Sequence, residues 1–381
     1  MLGKIIYYGI TALLNRIFAA LPLKENRVLF ISDVRSDMGG NFKFVCDEIS
    51  DGYEIKTSFK ADRRIRRSLG EYLRQCLYLA TSKYVFLEDY AECTAFMHVR
   101  KGQELIQLWH GSGAYKRFGH SRDGKDDVGR IHPGYKRYTK AFVSSEFVRP
   151  VFAGAFSISK DKVLATGVPR TDAFFNEAYK AKKTADFYKE YPEAEDKKII
   201  LFAPTYRGKR VEDASYGFDQ IDLQKLYEEL SAEYLFVIKW HPALYNNIKD
   251  GKVKSWDLKP FEGFAYDLSD KREVNDLLFV ADILITDYSS IIFDHALLKK
   301  PIIYFIYDLE EYEEGRGLYF PFEDYVYGDT ARTQEELTAA IRAENFYEDK
   351  WKIFTEKFTK ANDGKAARRI IKAVFPDDHT T

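Results

Sequence analysis

The chain has 381 residues, 45% of them hydrophobic and 16% aromatic, with a formal net charge of -1. That length exceeds one typical core and points to two domains of roughly 150–200 residues each. The hydrophobic share excludes a disordered chain, and the balanced charge excludes the strong basic excess of a nucleic-acid binder.

The N-terminal run Leu2–Leu21 is apolar but interrupted by Lys4, Asn15 and Arg16. A membrane-spanning helix needs about 20 mainly apolar residues, so this run is marginal. On a helical wheel Ile6, Ile10, Leu13, Leu14, Ile17 and Leu21 share one side, and Lys4, Thr11, Asn15 and Arg16 lie elsewhere. That is an amphipathic helix, expected over residues 1–22, which either lies in a membrane interface or packs on its own domain.

Short apolar runs then alternate with helical stretches. Arg27–Ile31, Glu54–Phe59, Tyr84–Leu87, Leu105–Trp109 and Ala141–Ser144 read as strands of a parallel sheet. A Gly39-Gly40-Asn41 loop leads into a helix expected from about Phe42 to Ile49. The polar stretch 121–129, with Asp126-Asp127, reads as a loop. A charged helical connection from about Phe175 to Asp196 precedes a second set of strands: Lys198–Phe202, Leu235–Lys239, Phe264–Tyr266, Ile283–Thr286 and Pro301–Phe305. The tail, about Gln334 to Val374, is mostly helical. The fold class expected is α/β with two doubly wound, Rossmann-like domains, 23–180 and 190–375. Cys46, Cys76 and Cys93 make no zinc or Cys-x-x-Cys spacing, which suits a reducing cytoplasm.

Ligands of open α/β sheets bind at the carboxyl ends of strands. His110-Gly111-Ser112-Gly113-Ala114-Tyr115-Lys116-Arg117 follows one strand, with small residues that admit a phosphate and two cations behind them. Ala203-Pro204-Thr205-Tyr206-Arg207 follows another, and its arginine suits an anion. A second strand-end histidine, His241, follows Lys239-Trp240 and precedes Pro242. Asp287-Tyr288-Ser289-Ser290 opens a helical run in which Asp287 is a candidate cap and the serines are candidate phosphate ligands. Arg170 lies on the stiff loop Gly167-Val168-Pro169-Arg170-Thr171-Asp172, as a phosphate clamp or as the partner of Asp172. No acidic pair with metal-site spacing accompanies these loops, so no metal is expected and cationic groups would stabilise the leaving phosphate.

The order of these motifs, with Gln107-Leu108-Trp109-His110-Gly111 and Val143-Ser144-Ser145-Glu146 among them, resembles the CDP-glycerol glycerophosphotransferase family of wall teichoic acid synthesis. The resemblance spans about residues 27 to 340. It implies a GT-B architecture with two domains facing a cleft, and a CDP-glycerol or CDP-ribitol donor. It implies an undecaprenyl-diphosphate-linked saccharide acceptor at the cytoplasmic face of the cell membrane, where the protein would be peripheral. The family's motif histidines fall on His110 and His241, its arginine on Arg170, its serines on Ser289 and Ser290, and an aspartate on Asp294. The same loops make Gly111, Ser112, Gly113, Ala114, Pro204, Thr205, Arg207, Lys239 and Trp240 candidate donor-binding residues. Where many relatives read Thr-Pro-Leu-Lys after Trp-His-Gly, this chain reads Ser112-Gly113-Ala114-Tyr115-Lys116, a departure that bears on acceptor or polyol preference.

The reaction expected is transfer of glycerol phosphate to a lipid-linked precursor, as by a primase, with release of CMP. His110 would be general base, and Arg170, Arg207 and His241 would stabilise charge on the diphosphate. The alternatives are a polyol-phosphate polymerase, a ribitol-phosphate transferase, a nucleotide-sugar glycosyltransferase of the same architecture, or a nucleotide-binding scaffold at the membrane.

Overall fold

The computed structural model describes residues 2–60, 65–122, 133–208 and 210–375. Residues 123–129 of the expected polar loop, including Asp126 and Asp127, lie outside this set.

Two compact units divide the chain, and each holds one six-stranded, wholly parallel sheet. In the first unit β1 (Lys24–Ser32), β2 (Glu54–Phe59), β3 (Ser82–Leu87), β4 (Glu104–Gln107), β5 (Lys140–Phe142) and β6 (Val163–Leu164) run in the order β2-β1-β3-β4-β5-β6. In the second, β7 (Lys198–Phe202), β8 (Tyr234–Ile238), β9 (Ala265–Asp267), β10 (Ile283–Thr286), β11 (Ile302–Phe305) and β12 (Asp329–Ala331) run in the order β12-β11-β10-β7-β8-β9. The fold class is therefore the expected one, α/β with two Rossmann-like domains. The central strands are buried on both faces, and for that reason they read as continuous apolar runs in the sequence. Only β6 and β12 escaped the sequence reading. Both are edge strands of two or three residues, too short to carry a pattern.

The domain boundary differs from the expected one at the C-terminus. The first unit comprises residues 1–114, 118–172 and 358–381, and the second 115–117 and 173–357. The last helix, Ala366–Val374, belongs to the first unit because Ile370, Ile371 and Val374, with Phe375 after them, join Val28, Phe30 and Phe86 in its core. The Phe375 ring lies 4.3 Å from that of Tyr84. Asp172 accepts the first backbone N–H groups of this helix, those of Ala366 and Ala367, at 2.9 and 2.8 Å. A carboxylate there opposes the helix dipole and satisfies donors that have no partner within the helix. Gly167 is the companion device. Its φ is +87°, and a Cβ would collide with the carbonyl oxygen of Ala361.

The N-terminal helix forms over Leu2–Phe18 and packs on the helix Leu69–Thr81 through Tyr7 and Thr11. Thr11 and Asn15 are buried, and the Thr11 hydroxyl meets the Tyr72 hydroxyl. Ile6, Ile10, Leu13 and Ile17 are instead exposed, and so is Leu21 beyond them. The helix is thus both packed and amphipathic, with its apolar side outward. Among the described residues no helix is long and apolar enough to cross a membrane.

Candidate active site

In the first domain the strand ends converge on His110. β4 stops at Gln107, two residues earlier than expected, because Trp109 adopts a left-handed conformation with φ +56°. An aromatic residue is rare there and must be held from outside. Three contacts hold it. The Gln107 side-chain oxygen accepts the Trp109 N–H at 2.8 Å. Asn41, fully buried, donates to the Trp109 carbonyl at 2.6 Å. The indole stacks on Phe118, with centroids 4.6 Å apart.

The turn throws the His110 side chain outward, where it is 54% exposed. Its ring stacks on Trp109 at 4.5 Å, and its Nδ1 lies 2.8 Å from Oδ1 of Asp89. Asp89 sits two residues after the end of β3, the strand beside β4. An Nδ1–H donated to Asp89 fixes both tautomer and orientation and leaves the Nε2 lone pair as proton acceptor. Desolvation lowers the pKa of His110, but the Asp89 carboxylate outweighs it, and the net shift is upward.

Arg170 completes this group. Its guanidinium donates to the His110 carbonyl at 2.6 Å and to Oγ of Ser112 at 2.9 Å. Its backbone N–H donates to Oδ1 of Asn41 at 3.0 Å. Asn41 therefore ties the loops after β1, β4 and β6 together. Asp172, the alternative partner of Arg170, serves the last helix. Behind the dyad, burial pushes the Glu88 carboxyl up to about 7 against the pull of Arg35, whose guanidinium lies 3.9 Å away.

The second domain uses its strand ends differently. Arg207 donates bidentately to Asp308 after β11, and to Asp287 after β10 at 2.8 Å. It also donates to the Thr205 carbonyl. The rings of Tyr216, Tyr288, Tyr307 and Tyr312 surround its guanidinium at 5.2–5.5 Å. Three of its donors meet two carboxylates and a fourth the Thr205 carbonyl, which gives Arg207 a structural role beside the expected one of phosphate fork. Asp287 likewise does not cap the helix after it. It accepts from Arg207 and from the backbone N–H groups of Thr205 and Tyr288. Lys116, counted with this domain, donates to the Thr205 hydroxyl at 2.6 Å.

His241 caps the helix Pro242–Lys249, its Nδ1 accepting from the Ala243 N–H at 3.1 Å. In the neutral ring that places the proton on Nε2, making this histidine a donor where His110 is an acceptor. Ser289 and Ser290 are half-buried at the start of the short helix Ile291–His295, and Asp294 is buried within it. Lys239 and Trp240 turn inward. Lys239 donates to the carbonyls of Ser269 and Arg272, and Trp240 packs with Phe202, Tyr216, Phe218 and Trp256. Pro204, Thr205 and Ala114 are buried. Sequence reasoning missed Asp89 and Asn41. The one signal for Asp89 was a Glu-Asp pair directly after a buried strand. Among the described residues no three His, Cys, Asp or Glu side chains are grouped to hold a metal ion.

The chain is similar to known proteins over nearly its whole length. It is 40% identical to the teichoic acid poly(ribitol-phosphate) polymerase of Bacillus spizizenii over 367 residues, which is 95% of this chain and 58% of that protein. It is 32% identical to the teichoic acid glycerol-phosphate primase of Bacillus subtilis over 309 residues, 80% of this chain and 76% of the primase. Among solved structures, that of the wall teichoic acid polymerase TagF shares the fold, with a TM-score of 0.78, 22% identity and coverage of 99% and 97% of the two chains. The family model for CDP-glycerol:poly(glycerophosphate) glycerophosphotransferase matches residues 13–376, and the chain belongs to that family.

Proposed function

We propose that the chain transfers a polyol phosphate from a CDP-polyol to a hydroxyl of a teichoic acid precursor, releasing CMP. The observation that carries this reading is the His110–Asp89 pair, in a chain of this family. An exposed imidazole, oriented by a carboxylate through Nδ1, is built to take a proton at Nε2. In the proposed step the acceptor hydroxyl oxygen bonds to the phosphorus carrying the polyol. Its proton passes to Nε2 of His110. The phosphorus–oxygen bond to CMP breaks, and CMP departs with the electron pair. Arg170 holds the His110 carbonyl and supplies positive charge beside it. His241, Ser289 and Ser290, at motifs that resemble the family's, are proposed to hold the donor phosphates, with His241 donating from Nε2. These cationic and N–H groups are proposed to suffice without a metal, which undiminished turnover in chelator would support.

Glycerol phosphate is the unit in the family's name, and transfer to a lipid-linked precursor, as by the primase, is the first reading. A second has its own support: identity to the ribitol-phosphate polymerase is 40% over 95% of the chain, against 32% over 80% for the glycerol-phosphate primase. The acceptor is proposed to be a lipid-linked saccharide at the cytoplasmic face of the cell membrane, which the exposed apolar side of the N-terminal helix would approach. The test offers CDP-glycerol and CDP-ribitol with primed and unprimed lipid acceptors and measures product masses. A single glycerol-phosphate addition to unprimed acceptor supports the primase, and a ribitol-phosphate ladder the polymerase. No CMP from either donor overturns the function.

A further inference from the structure

A cavity of about 770 Å³ opens in the first domain beside the end of the N-terminal helix. Its walls include Arg16, His98, Lys136, Arg137 and Lys162, together with the apolar Phe96, and among the described residues no carboxylate lines it. The whole chain carries a net charge of only -1, so four Lys and Arg side chains around one cavity are a local concentration. The Nε–H of Arg137 is buried and has no hydrogen-bond partner among the described residues. Cations with an unmet donor and an apolar wall suit a phosphate carried on an apolar stem.

The helix supplies the second observation. Arg16 stands three residues after Leu13, so the two are neighbours on the helix surface. Leu13 is 59% exposed, and Ile6, Ile10 and Ile17 line the same face. Phe96, 48% exposed, joins the cavity wall to the helix through Tyr8, with ring centroids 5.4 Å apart. A soluble anion would need the cations but not the apolar row. A lipid surface uses both.

We propose that this cavity binds the phosphate of an anionic membrane lipid while the apolar row of the helix lies in the lipid beside it. The proposal rests on the membrane association put forward above and adds the site that selects for lipid charge. It involves neither His110 nor any group assigned to the donor.

The full-length protein is sedimented with vesicles of phosphatidylcholine alone and with vesicles also containing phosphatidylglycerol. Lys136→Ala with Lys162→Ala should weaken binding to the anionic vesicles by about five-fold for each cation removed. Binding to neutral vesicles, the circular dichroism spectrum and CMP release with a soluble acceptor should not change. Equal losses on both vesicle types, or no loss, overturn the site. Inorganic phosphate that binds wild type tightly and displaces it from vesicles at equal ionic strength would assign the cavity to a soluble anion, and overturn the lipid. Leu13→Asp should release the protein from both vesicle types. Retention would overturn membrane association by this helix without touching the transfer reaction, which CMP release reads separately.

Discussion

At the strand ends of the first domain, His110 and Asp89 meet at 2.8 Å with the histidine half in solvent. At those of the second, Arg207 and Asp287 meet at the same distance, but their side chains are 16% and 1% exposed. The two pairs look alike in a sequence, each a basic and an acidic residue just beyond buried strands. Their surroundings separate them. An exposed dyad, held by stacking and one hydrogen bond, can exchange a proton with a substrate. A guanidinium enclosed by carboxylates and tyrosines is already neutralised and serves to lock the loops after β7, β10 and β11. Charge at a strand end therefore marks chemistry only where its partner leaves one face of it open.

Mutations that break this contrast should split into those that abolish rate and those that unfold. The largest effect on turnover is expected from His110→Ala, which removes the base, a loss of about 10²–10⁴-fold in CMP release. Thermal midpoint and CDP-polyol affinity should hold, as calorimetry would show. Loss of donor binding in a folded protein would make His110 a ligand contact. Asp89→Asn should cost about 10²-fold or more in kcat, because the amide carries no charge to stabilise the imidazolium and its NH2 can hold the ring in the wrong tautomer. Arg207→Ala should act on stability instead. Removing one member of a buried charge pair costs about 3–5 kcal/mol, visible as a lower denaturant midpoint. A folded variant of normal midpoint with a raised KM for donor would return Arg207 to the phosphate site. Asn41→Ala lies between the classes. It leaves the buried Trp109 carbonyl and the Arg170 N–H without their partner, at about 1–3 kcal/mol each. The His110 turn should drift and kcat should fall, with donor affinity nearly unchanged.

Much of this was legible beforehand. The apolar runs of β7 and β10 match the structure to the residue, since strands covered on both faces leave no polar interruptions. His110 and Arg170 were visible because each follows a strand or stiff turn with glycine nearby. Asp89 was not, because its role exists only once β3 and β4 lie side by side. Asn41 is silent for the same reason, as its two partners come from loops about 70 and 130 residues away in sequence. Arg207 was visible as a charge but not as a paired one. The return of the last helix to the first domain is a tertiary contact that helical periodicity does not encode.

The central claim is that His110, tuned by Asp89, is the base for polyol-phosphate transfer. The measurement that tests it most directly is the pH dependence of kcat/KM for CMP release in wild type and Asp89→Asn. Only the neutral ring accepts a proton, so activity should rise with pH through the pKa of His110. Because Asp89 raises that pKa, the wild-type acid limb should inflect above the ordinary histidine value of about 6.5. In Asp89→Asn desolvation, the largest influence, and Arg170 remain to favour the neutral ring with only Glu88 opposing them, so the limb should move to lower pH while the plateau falls. An acid limb that stays in place when Asp89 is replaced would contradict the account.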